Sequence, residues 1–251
     1  MELKRKVLNV AKCTICGIGL LLTFYTIMDL MLFLSDPYKQ RLSGYPRRDV
    51  WTSISWSLLV DMCLLSMFVL QHSLLSSTKI KTFFESYGLQ DLYRSFYVIT
   101  TSIVLQIVIS NWLYIPEVVL WKLNLNYKPV WWIYFGIHTI AWILIYVGNI
   151  FMDVNELLGI KQVAYSLKNL PDPNRRKSYE LKRLCNHVRH PSFLAFILLI
   201  WITSVMSLDQ LLLATVFSLY MYIAWNTDQE DYIYQKNQYE LKFHELQYVQ
   251  S

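Results

Sequence analysis

The sequence predicts an all-α, polytopic membrane protein with about six transmembrane helices, the last two forming a short hairpin. Three observations predict it. Of the 251 residues, 55% are hydrophobic and 16% are charged. The apolar residues gather into six runs separated by polar connections, and Lys and Arg are shared unequally between alternate connections. A helix needs about 20 largely apolar residues to cross roughly 30 Å of hydrocarbon. Runs of that order consume most of the chain, so residues 1–251 read as a single integral membrane domain.

The first span is expected near 7–34, directly after Lys4-Arg5-Lys6. It is too long for a signal-peptide core and lacks a small-residue cleavage pattern, so no cleavable signal is expected. Neither the Met-Glu start nor the final Tyr-Val-Gln-Ser offers a lipidation motif, which leaves the spans as the anchor. Further spans are expected near 51–75, 95–115 and 130–152. The fifth and sixth, near 191–206 and 210–225, are joined by Ser207, Leu208 and Asp209. At 1.5 Å per residue each arm is only about 24 Å long, a marginal span that local thinning of the lipid would accommodate.

The connection 153–190 is too long to lack structure in a compact domain. Its first part, to about residue 168, has helix-forming residues that continue the fourth span, and Pro171 and Pro173 then break it. A short basic helix is expected over 178–186, and Pro191 suits the first turn of the fifth helix. In the tail, 226–251, Tyr232, Tyr239, Phe243 and Leu246 recur at helical spacing, as in an amphipathic helix lying at the interface.

Alternate connections differ in charge. One face collects 16 Lys and Arg residues, eight of them between Lys161 and Arg189, and the other face collects 6. The positive-inside rule then places both termini and the long loop on the cytosolic side or in a compartment continuous with it. Trp51, Trp56, Trp112, Trp121, Trp131 and Trp132 gather toward the opposite face, as an aromatic belt would. The net charge of +5 reflects the basic loop. It suits anionic lipid headgroups, and direct contact with nucleic acid is not expected.

Cys13, Cys16, Cys63 and Cys185 form no disulfide framework, and Cys13-x-x-Cys16 within a span reads as small packing surface. Three charges fall inside spans. Lys12 and Asp29 lie near opposite ends of the first and can snorkel. Asp61 lies near the middle of the second, where a carboxylate is costly and faces the bundle interior. A relay residue, a pair with Lys12 and a hydrogen bond from a neighbouring hydroxyl are the open readings. The absence of internal repeats weakens a transporter reading.

The stretch with most chemical content is His187-Val-Arg189-His190-Pro191-Ser-Phe193. It ends the basic loop and opens the hairpin, whose other arm runs into Asp228-Gln-Glu230-Asp231. The hairpin therefore returns an acidic cluster to the membrane face that carries the basic one. Arg189 and His190 flank a helix N-terminus suited to an anion, while the carboxylates of Glu230 and Asp231 suit hydroxyl donors. Helix capping with headgroup contact and an anionic-ligand pocket remain open. His187 and His190 lack further ligands at useful spacing, so no metal site is expected.

Arg189-His190-Pro191, an aromatic two residues on, a membrane hairpin and an acidic cluster together resemble the C-terminal core of isoprenylcysteine carboxyl methyltransferases. The chain is more broadly similar to the nurim family of six-span proteins of the inner nuclear membrane. That resemblance runs through Gln71-His72-Ser73-Leu74, Glu156-Leu157 with Gly159, Lys161-Gln162-Val163-x-Tyr165, His187 to Phe193, and Asp228-Gln229 with Asp231. It implies residence in the inner nuclear membrane, with both termini nucleoplasmic and with membrane lipids and nuclear envelope proteins as partners.

The methyltransferase resemblance implies an S-adenosylmethionine site formed by His187, Arg189, His190, Phe193, Glu230 and Asp231. It leaves the catalytic residues unassigned. The chain departs from those enzymes at Arg183 and Cys185, where they carry a glycine and a tyrosine, and at Ala195, where they carry a glycine. Methyl transfer onto a lipid-embedded acceptor would rest mostly on positioning. A lipid-binding or scaffold role through the basic loop is the third reading.

Overall fold

In hydrocarbon an unbonded backbone amide costs several kcal/mol, so long apolar runs close their amides internally as helices. The structure is a computed structural model and describes residues 2–36, 50–151, 154–170 and 193–224. Its helices are α1 (Glu2–Ser35), α2 (Val50–Leu75), α3 (Thr78–Ser86), α4 (Tyr93–Asn111), α5 (Lys128–Phe151), α6 (Val154–Leu157), α7 (Ile160–Leu167), α8 (Phe193–Trp201) and α9 (Leu208–Ala224). Two short strands, β1 (Val119–Lys122) and β2 (Val205–Ser207), pair antiparallel. Among the described residues, four helices are long and apolar enough to cross a membrane: Lys6–Ser35, Val50–Leu75, Tyr93–Asn111 and Lys128–Ile150. They coincide with the four long runs of the sequence to within a few residues.

α1 and α4 pack along a seam of small and polar residues. Cys16, Gly19, Thr23 and Thr26 recur at alternating spacings of three and four, the pattern that keeps one helix face against a neighbour. Opposite them stand Ser95, Ile99, Ser102 and Gln106. A Cβ on Gly19 would lie 3.2 Å from Ile99 Cγ1, so the glycine sets the closeness of the helices. The Thr23 and Ser102 hydroxyls are 3.3 Å apart, and Gln106 Nε2 donates to Asp29 Oδ2 at 2.8 Å. Asp29 is therefore bound across the seam, whereas the sequence placed it as a snorkelling residue. Of the two cysteines read as packing surface, Cys16 is buried and Cys13 is exposed.

The apolar core lies where α2, α5, α8 and α9 meet, around Leu65, Ala141, Trp142, Ala195, Leu199, Leu213 and Ala214. Three buried alanines share this core with Trp112, which meets Phe33 edge-on, and with Trp142, which meets Phe196. Outward-facing residues such as Leu21, Ile140, Leu194 and Tyr222 are exposed and apolar, as a lipid-facing surface requires.

The largest departure from the sequence reading is the hairpin. The run 191–206 is not one helix: α8 stops at Trp201, Thr203 turns its hydroxyl onto the Val205 carbonyl at 3.0 Å, and residues 205–207 become β2. Val119 pairs with Ser207, Trp121 with Met206 and Lys122 with Val205. Ser207, Leu208 and Asp209 are accordingly not an open turn, since Ser207 ends the strand and α9 begins at Leu208. The two short strands interrupt a fold that is otherwise helical, as the sequence predicts. Nine residues of α8 extend only about 14 Å, too little to cross hydrocarbon unaided.

Irregular backbone is tolerated at membrane depth where protein buries and bonds it. Here two carboxylates do the bonding. Asp209, wholly buried, accepts from Trp112 Nε1 and the Ile115 amide at 3.0 Å each and from the Ser207 hydroxyl at 2.7 Å. Asp61, also wholly buried, accepts from the Leu113 amide at 3.0 Å. Together they explain why the third apolar run leaves the helix after Asn111 although it stays apolar to Ile115. The amides of 113 and 115 exchange helical partners for carboxylates, and Pro116 disfavours helix at the residue before it. Trp112 is thus a buried donor, and it does not belong to the aromatic belt. Trp51, Trp56 and Trp132 at the same end are exposed as expected.

A second knot closes the same end. Trp142 Nε1 donates to Ser35 Oγ at 2.8 Å, and His138 Nδ1 lies 2.9 Å from that oxygen. The Ile202 carbonyl, which can only accept, takes a hydrogen bond from His138 Nε2 at 2.7 Å and so finds a partner where α8 ends.

Candidate functional site at the N-terminal end of the bundle

The end of the bundle opposite these knots gathers sequence motifs that are far apart in the chain. α2 arrives there with Gln71 and His72, α4 departs with Tyr93, Arg94 and Tyr97, and α6 and α7 lie across it with Glu156, Gly159 and Gln162. Gln71 Nε2 donates to the hydroxyls of Thr100 and Thr101 at 3.2 Å each. The His72 ring stacks on Phe68 and lies within hydrogen-bond distance of the Tyr97 hydroxyl, 2.9 Å from Nε2. Tyr220 of α9 meets the His72 ring edge-on at 6.2 Å, and its hydroxyl is 3.3 Å from Ser73 Oγ.

Arg94 joins this aromatic cluster to the next motif. Its guanidinium stands over the Tyr97 ring at 5.1 Å, while its Nε donates to the Leu157 carbonyl at 2.7 Å. Two residues on, Gly159 has φ 85°, in the left-handed region that side chains disfavour. A Cβ there would also fall 2.5 Å from Ser95 Oγ and 2.7 Å from the Ser95 amide. The glycine of the Glu156-Leu157-x-Gly159 motif is therefore a packing requirement, fixed by both the turn and the approach of α4. Lys161 pairs with Glu156 at 3.7 Å, and Gln162 Nε2 donates to the Glu156 carbonyl at 3.2 Å.

Lys12 completes this end. It is 8% exposed, forms an ion pair with Asp91 at 2.5 Å and donates to Ser166 Oγ at 3.2 Å. This corrects two readings of the sequence: Lys12 does not snorkel, and it is not the partner of Asp61. Its ion pair ties α1 to the segment before α4, and its bond to Ser166 ties α1 to α7.

Of the site residues expected from sequence, Phe193 is described. It is the first residue of α8 and packs, partly buried, against the core. His187, Arg189, His190, Glu230 and Asp231 lie outside the described residues, as do the expected basic helix at 178–186 and the tail. The described chain breaks after Leu170, resumes at Phe193 and stops at Ala224, one turn past the Tyr220 that meets His72. Among the described residues no group of three or more His, Cys, Asp or Glu is arranged to hold a metal ion. Sequence reasoning did not single out Tyr97, Arg94 or Asp91 as organisers of this end. Arg94 counted only as one more basic residue, and nothing local distinguishes Asp91 from a solvated loop acid.

Four helices able to cross a bilayer, with buried polar residues bonded between them and an apolar exterior, define a multi-pass α-helical membrane protein. The chain is 39% identical to a nurim homologue of Drosophila pseudoobscura over 231 residues, covering 89% of this chain and 91% of that protein. It is 35% identical to mouse nurim and 34% identical to human nurim, each over 209 residues, covering 82% of this chain and 78% of theirs. The chain belongs to the nurim family. No family model matches it, and no solved structure does.

Proposed function

We propose that the chain is a resident multi-pass protein of the inner nuclear membrane, crossing it six times with both termini on the nucleoplasmic side. Family membership over 89% of its length carries this reading. The 16 to 6 distribution of Lys and Arg supports the orientation. On this reading α8 and α9 belong to the fifth and sixth passes. The expected result is a nuclear rim for the tagged chain. The tail should be reached by antibody only after nuclear membranes are opened, and residues 116–128 should be protected from protease in sealed membranes. A uniform reticular pattern or a lumenal tail would overturn the assignment.

A second reading is membrane methyl transfer with S-adenosylmethionine held by His187, Arg189, His190, Phe193, Glu230 and Asp231. The meeting of Gln71-His72 with the Glu156 motif through Tyr97 and Arg94, beside Tyr220 near the end of α9, favours it. On this reading purified protein binds S-adenosylmethionine. Arg189→Ala and Glu230→Ala each weaken binding by roughly 1–3 kcal/mol, as for lost charge-assisted hydrogen bonds. Calorimetry with millimolar cofactor decides it: no heat of binding, with both variants merely less stable, leaves those residues a structural charge network. A lipid-binding or scaffold role through the basic loop is then the remaining reading.

A further inference from the structure

We propose that the groove between α2 and α4, beneath α3, holds one anionic phospholipid of the surrounding bilayer. Its acyl chain would lie along the groove and its phosphate against Lys79 and Lys81. The groove has a volume of about 380 Å³ and is lined by Gln71, Leu74, Leu75, Phe96, Ile103 and Val104, with Thr100 at its wall. It is open on its outer side, and Leu74, Phe96 and Ile103 are exposed there, continuous with the lipid-facing surface of two helices that cross the membrane. Gln71 and Thr100 expose no polar atom to the groove: Gln71 Nε2 donates to Thr100 and Thr101, Gln71 Oε1 is buried, and the Thr100 hydroxyl donates to the Phe96 carbonyl at 2.9 Å. An apolar, laterally open groove at this depth takes an acyl chain from the bilayer.

The cations sit at its head. α3 connects two spans and lies across their ends, with Phe84 packed against groove-lining Phe96 at 5.4 Å. Lys81 Nζ stands 6.0 Å over the Tyr93 ring, and the Tyr93 hydroxyl donates to the carbonyl of Leu75, the last groove residue of α2. Lys79 and Lys81 are both exposed, and so are Phe83 and Tyr87, which follow at a helical interval on the outer side. Charge above and apolar wall below match a phosphate joined to an acyl chain, with Tyr93 linking Lys81 to Leu75 of the groove. Glu85 is the acid on α3, one turn beyond Lys81 and away from Lys79. A zwitterionic lipid would fill the groove equally well but would not select the lysines.

The test uses the full chain in phosphatidylcholine nanodiscs with trace phosphatidylserine or phosphatidylcholine carrying a photoactivatable acyl chain, with crosslinks mapped by peptide. Phosphatidylserine should label the peptides holding 71–75 and 96–104 in preference to phosphatidylcholine. Lys79→Gln and Lys81→Gln should lower that preference roughly fivefold each, as for one basic residue near a charged leaflet. Thr100→Trp, which fills the groove from its wall, should lower labelling by both lipids while leaving Lys81 in place. Equal labelling by the two lipids, or a preference that survives both lysine substitutions, overturns the proposal. Labelling confined to other peptides does so as well, including any held by the basic loop.

Discussion

Asp209→Ala is expected to lower stability by about 3–5 kcal/mol, measured by equilibrium unfolding in mixed detergent micelles. The substitution removes little volume, and its effect comes from the donors it strands. Trp112 Nε1–H, the Ile115 amide and the Ser207 hydroxyl all point at this carboxylate from within 3.0 Å, and Trp112 and Ile115 are buried with it. Each orphaned buried donor costs about 1–3 kcal/mol, and the three losses are less than additive because the segment can relax once. Asp209→Asn keeps one acceptor oxygen but turns an amide donor toward a donor, so an intermediate loss is expected. Asp61→Asn should cost least, since Asp61 receives the Leu113 amide through Oδ1 alone and an asparagine carbonyl can replace it. A loss at Asp61→Asn equal to that at Asp209→Ala would contradict this ranking.

Lys12→Met is expected to cost about 3–5 kcal/mol on its own and much less when combined with Asp91→Leu. Both side chains are close to nine-tenths buried, at 11% and 9% exposure, so removing the ammonium leaves a carboxylate without its counterion in a poorly hydrated site. Removing both charges and restoring apolar volume eliminates that penalty. A buried ion pair often contributes little more than the apolar packing that could replace it. The double variant also loses the bond from Lys12 to Ser166, so α7 should loosen before the bundle does, visible as faster amide exchange over 160–167. A double variant as unstable as Lys12→Met would mean that the pair is not the origin of the loss.

The four long spans were legible because length and continuous hydropathy identify a membrane helix without knowledge of what it touches. The α1–α4 seam was legible in principle, through the spacing of Cys16, Gly19, Thr23 and Thr26. Strand β2 was not, since Val205-Met206-Ser207 is too short and apolar for periodicity to separate strand from helix. Asp209 was hidden for a related reason: an aspartate between two apolar runs looks the same whether it faces water in a turn or three buried donors. In the candidate site, the order of Gln71-His72, Glu156-Leu157 and Gly159 along the chain was readable. Their meeting was not, because it is made by Tyr97 and Arg94 on a helix that carried no motif. His187, Arg189, His190, Glu230 and Asp231 lie outside the described residues.

The dependence of 112–115 on Asp209 also sets an order of events during synthesis. Asp61 and Leu113 leave the ribosome early and can meet while the chain is still growing. Trp112 and Ile115 must wait, because their acceptor is encoded 97 and 94 residues later. Until α9 is made, Trp112 Nε1 and the Ile115 amide lack the carboxylate that accepts from them in the folded chain. A chain truncated before residue 209 therefore contains all four long helices and still cannot finish folding. α9, the last described helix, thus latches a segment made nearly a hundred residues before it.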